Sequence, residues 1–228
     1  MLRILIADDH EVARHGIRAL LEGHTGWDVC AEAKDGREAV ELASSVSPDL
    51  ILLDIGMPNL NGLEAARQIL ASSPDTPILI LTMHDSEQVV REVLRAGARG
   101  FLLKSDAGRD LVAAVEALQM KRTFFTTRVS QMVLEGYLDR DVPDGQSDDS
   151  TEKRNNTEDP TTAVLTSRER EVIQLLAEGK TSKEVAVALR LSVKTAETHR
   201  TNLMRKLGLH SVADLTRYAV RNGIVQVF

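Results

Sequence analysis

Three almost unbroken apolar runs, Ile4-Leu5-Ile6-Ala7, Leu50-Ile51-Leu52-Leu53 and Ile78-Leu79-Ile80-Leu81, constrain the fold of this chain more than any other feature. Each is too short to be a helix. A strand loses its polar alternation when both faces are buried, as in a parallel sheet with helices on either side. With weaker runs around Val29 and Phe101, the expected strands are Leu2–Ala7, Asp28–Ala33, Asp49–Asp54, Pro77–Thr82 and Arg99–Lys104. The amphipathic stretches Glu11–Glu22, Gly36–Ser45, Gly62–Ser72, Glu87–Ala96 and Gly108–Lys121 read as helices. Five successive βα units predict an α/β doubly wound, five-stranded parallel sheet over residues 1–121. Ligands of such sheets sit at the carboxyl ends of the strands, near the point where strand order reverses.

The pattern changes after residue 121. Residues 122–138 are expected to form a connecting helix and residues 139–163 a flexible acidic linker, whose only apolar side chains are Val142 and Ala163. So polar a stretch cannot bury enough surface to offset its chain entropy. As a coil it would span on the order of 25–30 Å. Helical periodicity returns over residues 164–228. Thr166 or Ser167 caps a helix with Val172, Leu175 and Leu176 inward, and Thr181 or Ser182 caps a short one with Val185, Ala186 and Leu189 inward. Ser192 opens a third helix that runs through Lys206, and Ser211 opens a fourth. The turn Arg190-Leu191-Ser192 between two helices follows the helix-turn-helix plan, so a small all-α four-helix domain is expected.

Charge divides along the same lines. Residues 1–138 hold 14 Lys+Arg against 20 Asp+Glu, residues 139–163 hold 3 against 8, and residues 164–228 hold 11 against 6. The basic end either meets an anionic partner or is only a solvated surface, and charge alone does not choose between them.

The chemistry of the first domain lies at its strand ends. Asp8 and Asp9 close the first expected strand, Asp54 the third, Thr82 the fourth and Lys104 the fifth. Three carboxylates at one sheet edge repel one another unless a hard divalent cation joins them. Mg2+ prefers such oxygen ligands and commonly shares them with a phosphate. A hydroxyl and an ammonium nearby complete a phosphate site.

These residues resemble the receiver domain of two-component response regulators. The resemblance rests on Asp8-Asp9, on Asp54-Ile55-Gly56-Met57-Pro58 with Gly62 following, on Thr82, and on Phe101-Leu102-Leu103-Lys104. It covers about the first 121 residues and implies a flavodoxin-like sheet with Asp54 as phosphoacceptor. It implies Mg2+ held by Asp9, Asp54, the backbone carbonyl of Gly56 and, mostly through water, Asp8. By the same resemblance, Lys104 pairs with the phosphoryl group, Thr82 hydrogen-bonds one of its oxygens, and Phe101 turns inward behind Thr82. The metal would neutralise charge and hold the transferring group in line with Asp54. Two positions depart from the family pattern. Met83 follows the switch hydroxyl where many receivers carry a small residue, which restricts access. Ser105 follows Lys104 where many carry proline, so no cis peptide is expected there. His84 and Gly56 fall where family members tune dephosphorylation, although His84 reads equally as an exposed loop histidine.

In the basic domain, Lys180, Lys183, Arg190, Lys194, Arg200, Arg205 and Lys206 meet only Glu184 and Glu197 in the same stretch. Such density neutralises nucleic-acid phosphates. The third helix is expected to enter the major groove, with Ala196, Leu203 and Leu207 inward and Glu197, Thr198, Arg200 and Thr201 outward. Lys183, Lys194, Thr195 and Lys206 complete the expected contacts, the last three suited to phosphates. The threonines suit a base edge or a thymine methyl, and Glu197 either accepts from a cytosine amine or only balances helix charge.

The strings Leu165-Thr166-Ser167-Arg168-Glu169-Arg170-Glu171-Val172, Ala177-Glu178-Gly179-Lys180-Thr181-Ser182-Lys183-Glu184-Val185-Ala186 and Leu191-Ser192-Val193-Lys194-Thr195-Ala196-Glu197-Thr198-His199-Arg200 are similar to the LuxR-type DNA-binding domain of NarL/FixJ regulators. Family members usually carry valine where Ala196 stands. The resemblance places His199 near the DNA backbone, with helix packing as the alternative, and makes the helix Ser211–Asn222 a dimer contact.

The combined expectation is a phosphorylation-controlled transcription regulator. Its partners would be a sensor histidine kinase or a small acyl-phosphate donor, double-stranded promoter DNA and a second copy on DNA, with RNA polymerase left open. The unphosphorylated receiver is expected to cover the reading helix or the dimer face. Beyond self-phosphorylation and autodephosphorylation, no enzymatic turnover is expected. One rival is an Mg2+-dependent phosphohydrolase. Those favour two aspartates separated by one residue on the first strand, whereas Asp8 and Asp9 are adjacent. The other rival is a constitutive DNA binder with a receiver that is never phosphorylated. The single cysteine, Cys30, excludes an internal disulfide and a cysteine-only metal cage. No apolar run approaches the ~18 residues that span a bilayer. Asp8 and Asp9 end the first run too early for a signal peptide, so a cytoplasmic location is expected.

Overall fold

A computed structural model of the chain describes residues 1–83, 86–126, 129–131 and 165–225. The first domain runs β1 (Leu2–Ala7), α1 (Glu11–Glu22), β2 (Trp27–Ala33), α2 (Gly36–Val46), β3 (Leu50–Asp54), α3 (Gly62–Ser72), β4 (Ile78–Thr82), α4 (Glu87–Arg95) and β5 (Gly100–Leu103). A 3-10 turn at Lys104–Asp106 leads into α5 (Ala107–Gln119), and β6 (Phe124–Phe125) follows. All strands are parallel, in the order β2-β1-β3-β4-β5-β6.

The sheet therefore has six strands where five were expected. Phe124 and Phe125 pair with Gly100 and Phe101, inside the stretch expected as a connecting helix. Two residues carry no readable period, and only the open edge of β5 makes them a strand. Residues 129–131 are helical, with Val129 buried. The remainder of the connecting stretch, the linker 139–163 and His84 lie outside the described residues.

The apolar runs are buried on both faces, as their lack of alternation required. Leu5, Ile51, Leu53 and Ile80 pack with Ala39, Leu63, Ile69, Val90 and Val93 of α2, α3 and α4. Ile4, Ile6, Leu50, Leu52, Leu79 and Leu81 pack with Ile17, Leu21, Leu111, Val115 and Leu118 of α1 and α5. Strand order turns back between β1 and β3, which places the ends of these strands side by side. Asn61 caps α3 by accepting from the Glu64 N–H, and the Gly62 N–H at the helix start donates to the Ile55 carbonyl just past β3 at 3.0 Å. A Cβ at Gly62 would lie 1.9 Å from the backbone oxygen of Asp54, so only glycine admits that approach.

The second domain contains α6 (Ser167–Ala177), α7 (Ser182–Ala188), α8 (Val193–Lys206) and α9 (Val212–Arg221). Thr166 and Thr181 form reciprocal capping boxes with Glu169 and Glu184, while Ser192 and Ser211 cap α8 and α9. Val172, Ile173, Leu175, Val185, Ala196, Leu203, Leu215 and Ala219 form its own core. The α7–α8 turn passes through Arg190 at φ 52°, a left-handed position that folds the two helices together. Among the described residues, no helix is long and apolar enough to cross a membrane.

Candidate phosphoacceptor site and nucleic-acid interface

The carboxyl ends of β1, β3, β4 and β5 converge. Asp8 and Thr82 are fully buried, Asp54 is nearly so, and Asp9 stands at the rim. Lys104 Nζ lies 2.8 Å from Asp8 Oδ2 and 2.9 Å from Asp54 Oδ2. Burial pushes the Asp54 carboxyl up and neighbouring Asp8 adds to this, against the Lys104 ammonium and the Gly56 N–H, which favour the carboxylate. Burial alone would lower Lys104, but Asp54 and Asp8 outweigh it and hold the ammonium above its ordinary value. Phe101, at the start of β5, is fully buried in the core beside Val90 and Val93.

Ligand atoms of Asp8, Asp9, His10 and Asp54 all lie within 4.8 Å of one another. Three carboxylates against one lysine leave the site short of positive charge. An oxygen-rich, electronegative donor set of this kind fits a hard divalent cation. His10, absent from the expected set, places Nδ1 2.7 Å from Asp9 Oδ1, and its backbone N–H donates to Asp8 Oδ1 at 2.9 Å. Its only signal in the sequence is adjacency to two aspartates. Met83, which follows Thr82, is two-thirds exposed.

On α8, Lys194, Thr195, Glu197, Thr198 and Thr201 are exposed, with His199 and Arg200 half-buried, and Lys183 on α7 is exposed. The Thr198 hydroxyl donates to the Lys194 carbonyl at 2.9 Å, and the Thr195 hydroxyl bonds that of Ser192 at 2.7 Å. Lys206 Nζ lies 2.7 Å from Glu169 Oε2, a partner the sequence pattern did not reveal. Lys180, counted with the basic residues of this domain, instead donates to Asn59 Oδ1 at 2.6 Å.

Residues 4–116 match the response regulator receiver domain, and residues 163–219 match the luxR family of bacterial regulatory proteins. The oxygen regulatory protein NreC of Staphylococcus aureus is 36% identical over 226 residues, covering 99% of this chain and all of that protein. The chain belongs to the LuxR-type response regulators. Among solved structures, RcsB of Salmonella enterica serovar Typhimurium, bound to a promoter in the presence of phosphomimetic BeF3-, is 26% identical with a TM-score of 0.58, covering 98% of this chain and 99% of that one. A structure of two RcsB dimers on two parallel DNAs is also 26% identical, with a TM-score of 0.56 and 97% and 98% coverage. Receivers of this family use Mg2+ at the acidic pocket, and the donor set here matches that use.

In this response regulator the two domains are docked. Glu64 of α3, almost fully buried, accepts from Arg170 Nε at 2.9 Å and from the Ser167 hydroxyl. Arg37 and Gln68 reach Glu171 at 3.1 and 3.0 Å, and Asn61 Nδ2 donates to the Ile224 carbonyl at 2.9 Å. The receiver thus covers α6 and the turn after α9. Of the two surfaces expected to be covered, the reading helix or the dimer face, the reading helix α8 keeps its outer face exposed, and the bonds to the receiver fall on α6 and just beyond the end of α9. The reason is the choice of contact helix: α6 carries the polar side chains that complement α3, and α8 does not take part in these bonds.

Proposed function

We propose that Asp54 accepts a phosphoryl group and that this event controls DNA binding by α8. The observation that carries the reading is the buried Asp54 carboxylate at the end of β3, with the Lys104 ammonium 2.9 Å away and Asp8 and Asp9 within a few ångströms. A carboxylate oxygen of Asp54 attacks phosphorus of a histidine kinase's phosphoimidazole or of a small acyl phosphate, and the P–N or P–O bond to the donor breaks. Asp8, Asp9, Asp54 and the Gly56 carbonyl would hold Mg2+, which supplies charge neutralisation for the transferring group. Lys104 then meets the new phosphoryl oxygens, and Thr82 offers its hydroxyl. Phe101 packs behind them and carries the change to the surface.

The DNA-contact set is Lys183, Lys194, Thr195, Glu197, Thr198, His199, Arg200, Thr201 and Lys206. Exposure of most of them on one helix face supports that assignment. The DNA-bound RcsB dimers support promoter DNA and a second copy of this chain as partners. The receiver over about residues 1–121 and the DNA-binding domain over 164–228 would be two domains joined by the acidic linker. The test is selection of duplexes from a random pool with acetyl phosphate-treated protein, followed by binding of the selected DNA. Affinity is expected to rise with acetyl phosphate and Mg2+ in wild type and to stay flat in Asp54→Ala. Equal affinity in all states would favour the constitutive binder.

A further inference from the structure

The loop between β3 and α3, residues 55–61, is held by the other domain. Gln174 of α6 is 2% exposed, and its side chain reaches into the receiver. Its amide Nε2 donates to the Met57 carbonyl at 3.0 Å, and its Oε1 accepts from the Asn61 N–H at 2.7 Å. Glu178 Oε1 takes the Gln174 amide at 2.7 Å and the Asn59 N–H at 3.2 Å, and Lys180 takes Asn59 Oδ1 at 2.6 Å. The loop is thereby tied at residues 57, 59 and 61. A cavity of about 110 Å³ lined by Asp9, Gly56, Met57, Asn61, Gln174 and Ile224 joins the acidic rim to this interface.

We propose that Gln174, a residue of the DNA-binding domain, is a positioning residue for the receiver's metal site and holds the β3–α3 loop against full metal coordination. This rests on the proposed function, in which the Gly56 carbonyl is a metal ligand. Mg2+ demands near-ideal ligand geometry, so the peptide units beside Gly56 must adjust to it. The next carbonyl along, Met57, is fixed by an amide that a metal ion does not share. Loss of the Gln174 bonds frees the loop to adjust, and metal affinity rises. Linkage makes the effect reciprocal: divalent metal weakens the hold of α6 by the same factor.

The experiment is a calorimetric Mg2+ titration of the full chain as wild type, Gln174→Ala and Asp9→Ala, each shown to melt cooperatively. Gln174→Ala is expected to bind Mg2+ about fivefold more tightly, the change that one net hydrogen bond supports. If that variant fails to fold, Gln174→Met keeps the side-chain length, removes both bonds to the loop without adding charge and is expected to show the same rise. Equal or weaker affinity in the variant lacking Gln174 overturns the inference, while Mg2+ binding lost only in Asp9→Ala leaves the proposed function standing. Wild-type protein that binds no Mg2+ overturns both.

Discussion

The Lys104 ammonium lies 2.9 Å from Asp54 Oδ2, so the carboxylate proposed to receive a phosphoryl group already holds the cation that would meet it. The same ammonium lies 2.8 Å from Asp8 Oδ2, and both carboxylates are buried. Removing one partner of a buried pair costs about 3 kcal/mol or more, because the remaining charge stays desolvated. Lys104→Ala is expected to unfold at lower denaturant than wild type, and Mg2+ is expected to restore part of the loss by binding the folded state. Urea titrations with and without Mg2+ measure both effects; a variant as stable as wild type without metal would contradict the pairing.

Gly62 sets how closely α3 approaches the phosphoacceptor. A methyl there would lie 1.9 Å from the Asp54 backbone oxygen. Gly62→Ala is expected to cost about 1–3 kcal/mol through overpacking and to slow phosphorylation by displacing Asp54. Thermal melting and the rate of phosphoryl uptake check the two together. Gly16→Ala, where no heavy atom lies within 4 Å of the added Cβ, is the control without either effect.

Glu169 ties α6 to α8. Burial pushes its carboxyl up, but the bonds from Lys206 and from Thr166 outweigh this and hold it below its ordinary 4.5. A carboxyl whose folded pKa is lowered contributes stability that is complete above the unfolded value and is lost as pH falls through the folded one. The DNA-binding domain is therefore expected to lose stability below pH 4.5, and Glu169→Gln to lose that part of the dependence. Helical melting as a function of pH, compared between wild type and variant, measures it.

Lys194 is exposed at the start of α8, where a phosphate contact is proposed. Lys194→Ala is expected to weaken binding alike on different duplexes and to lower the salt slope by about 0.9. Fluorescence anisotropy across a salt series gives the slope. An unchanged slope would remove Lys194 from the DNA-contact set.

Much of the receiver was legible because its strands are buried on both faces. Ile4, Leu52 and Ile80 have no polar alternation to obscure them, and a run of that kind fits few other structures. The convergence of Asp8, Asp54, Thr82 and Lys104 followed from strand order, since each closes a strand or directly follows one. Phe124 and Phe125 escaped because two residues give no period, and pairing to β5 is a tertiary effect. Glu64, Glu171 and Gln174 were illegible for a related reason. A polar residue on an amphipathic helix reads as solvent-facing, and only the opposing domain makes these three buried. Lys180 and Lys206 read as phosphate ligands from charge alone, yet Lys180 reaches Asn59 of the docked receiver and Lys206 pairs with Glu169 within its own domain.

The central claim is that Asp54 takes a phosphoryl group with help from a divalent cation. The most direct test is intact mass of the full chain after incubation with acetyl phosphate and Mg2+, beside Asp54→Ala and a chelator control. The account predicts the mass gain of one phosphoryl group in wild type and none in either control. A folded wild-type protein that gains nothing from acetyl phosphate or from a phosphorylated histidine kinase, or an Asp54→Ala variant that gains the same mass, would contradict it.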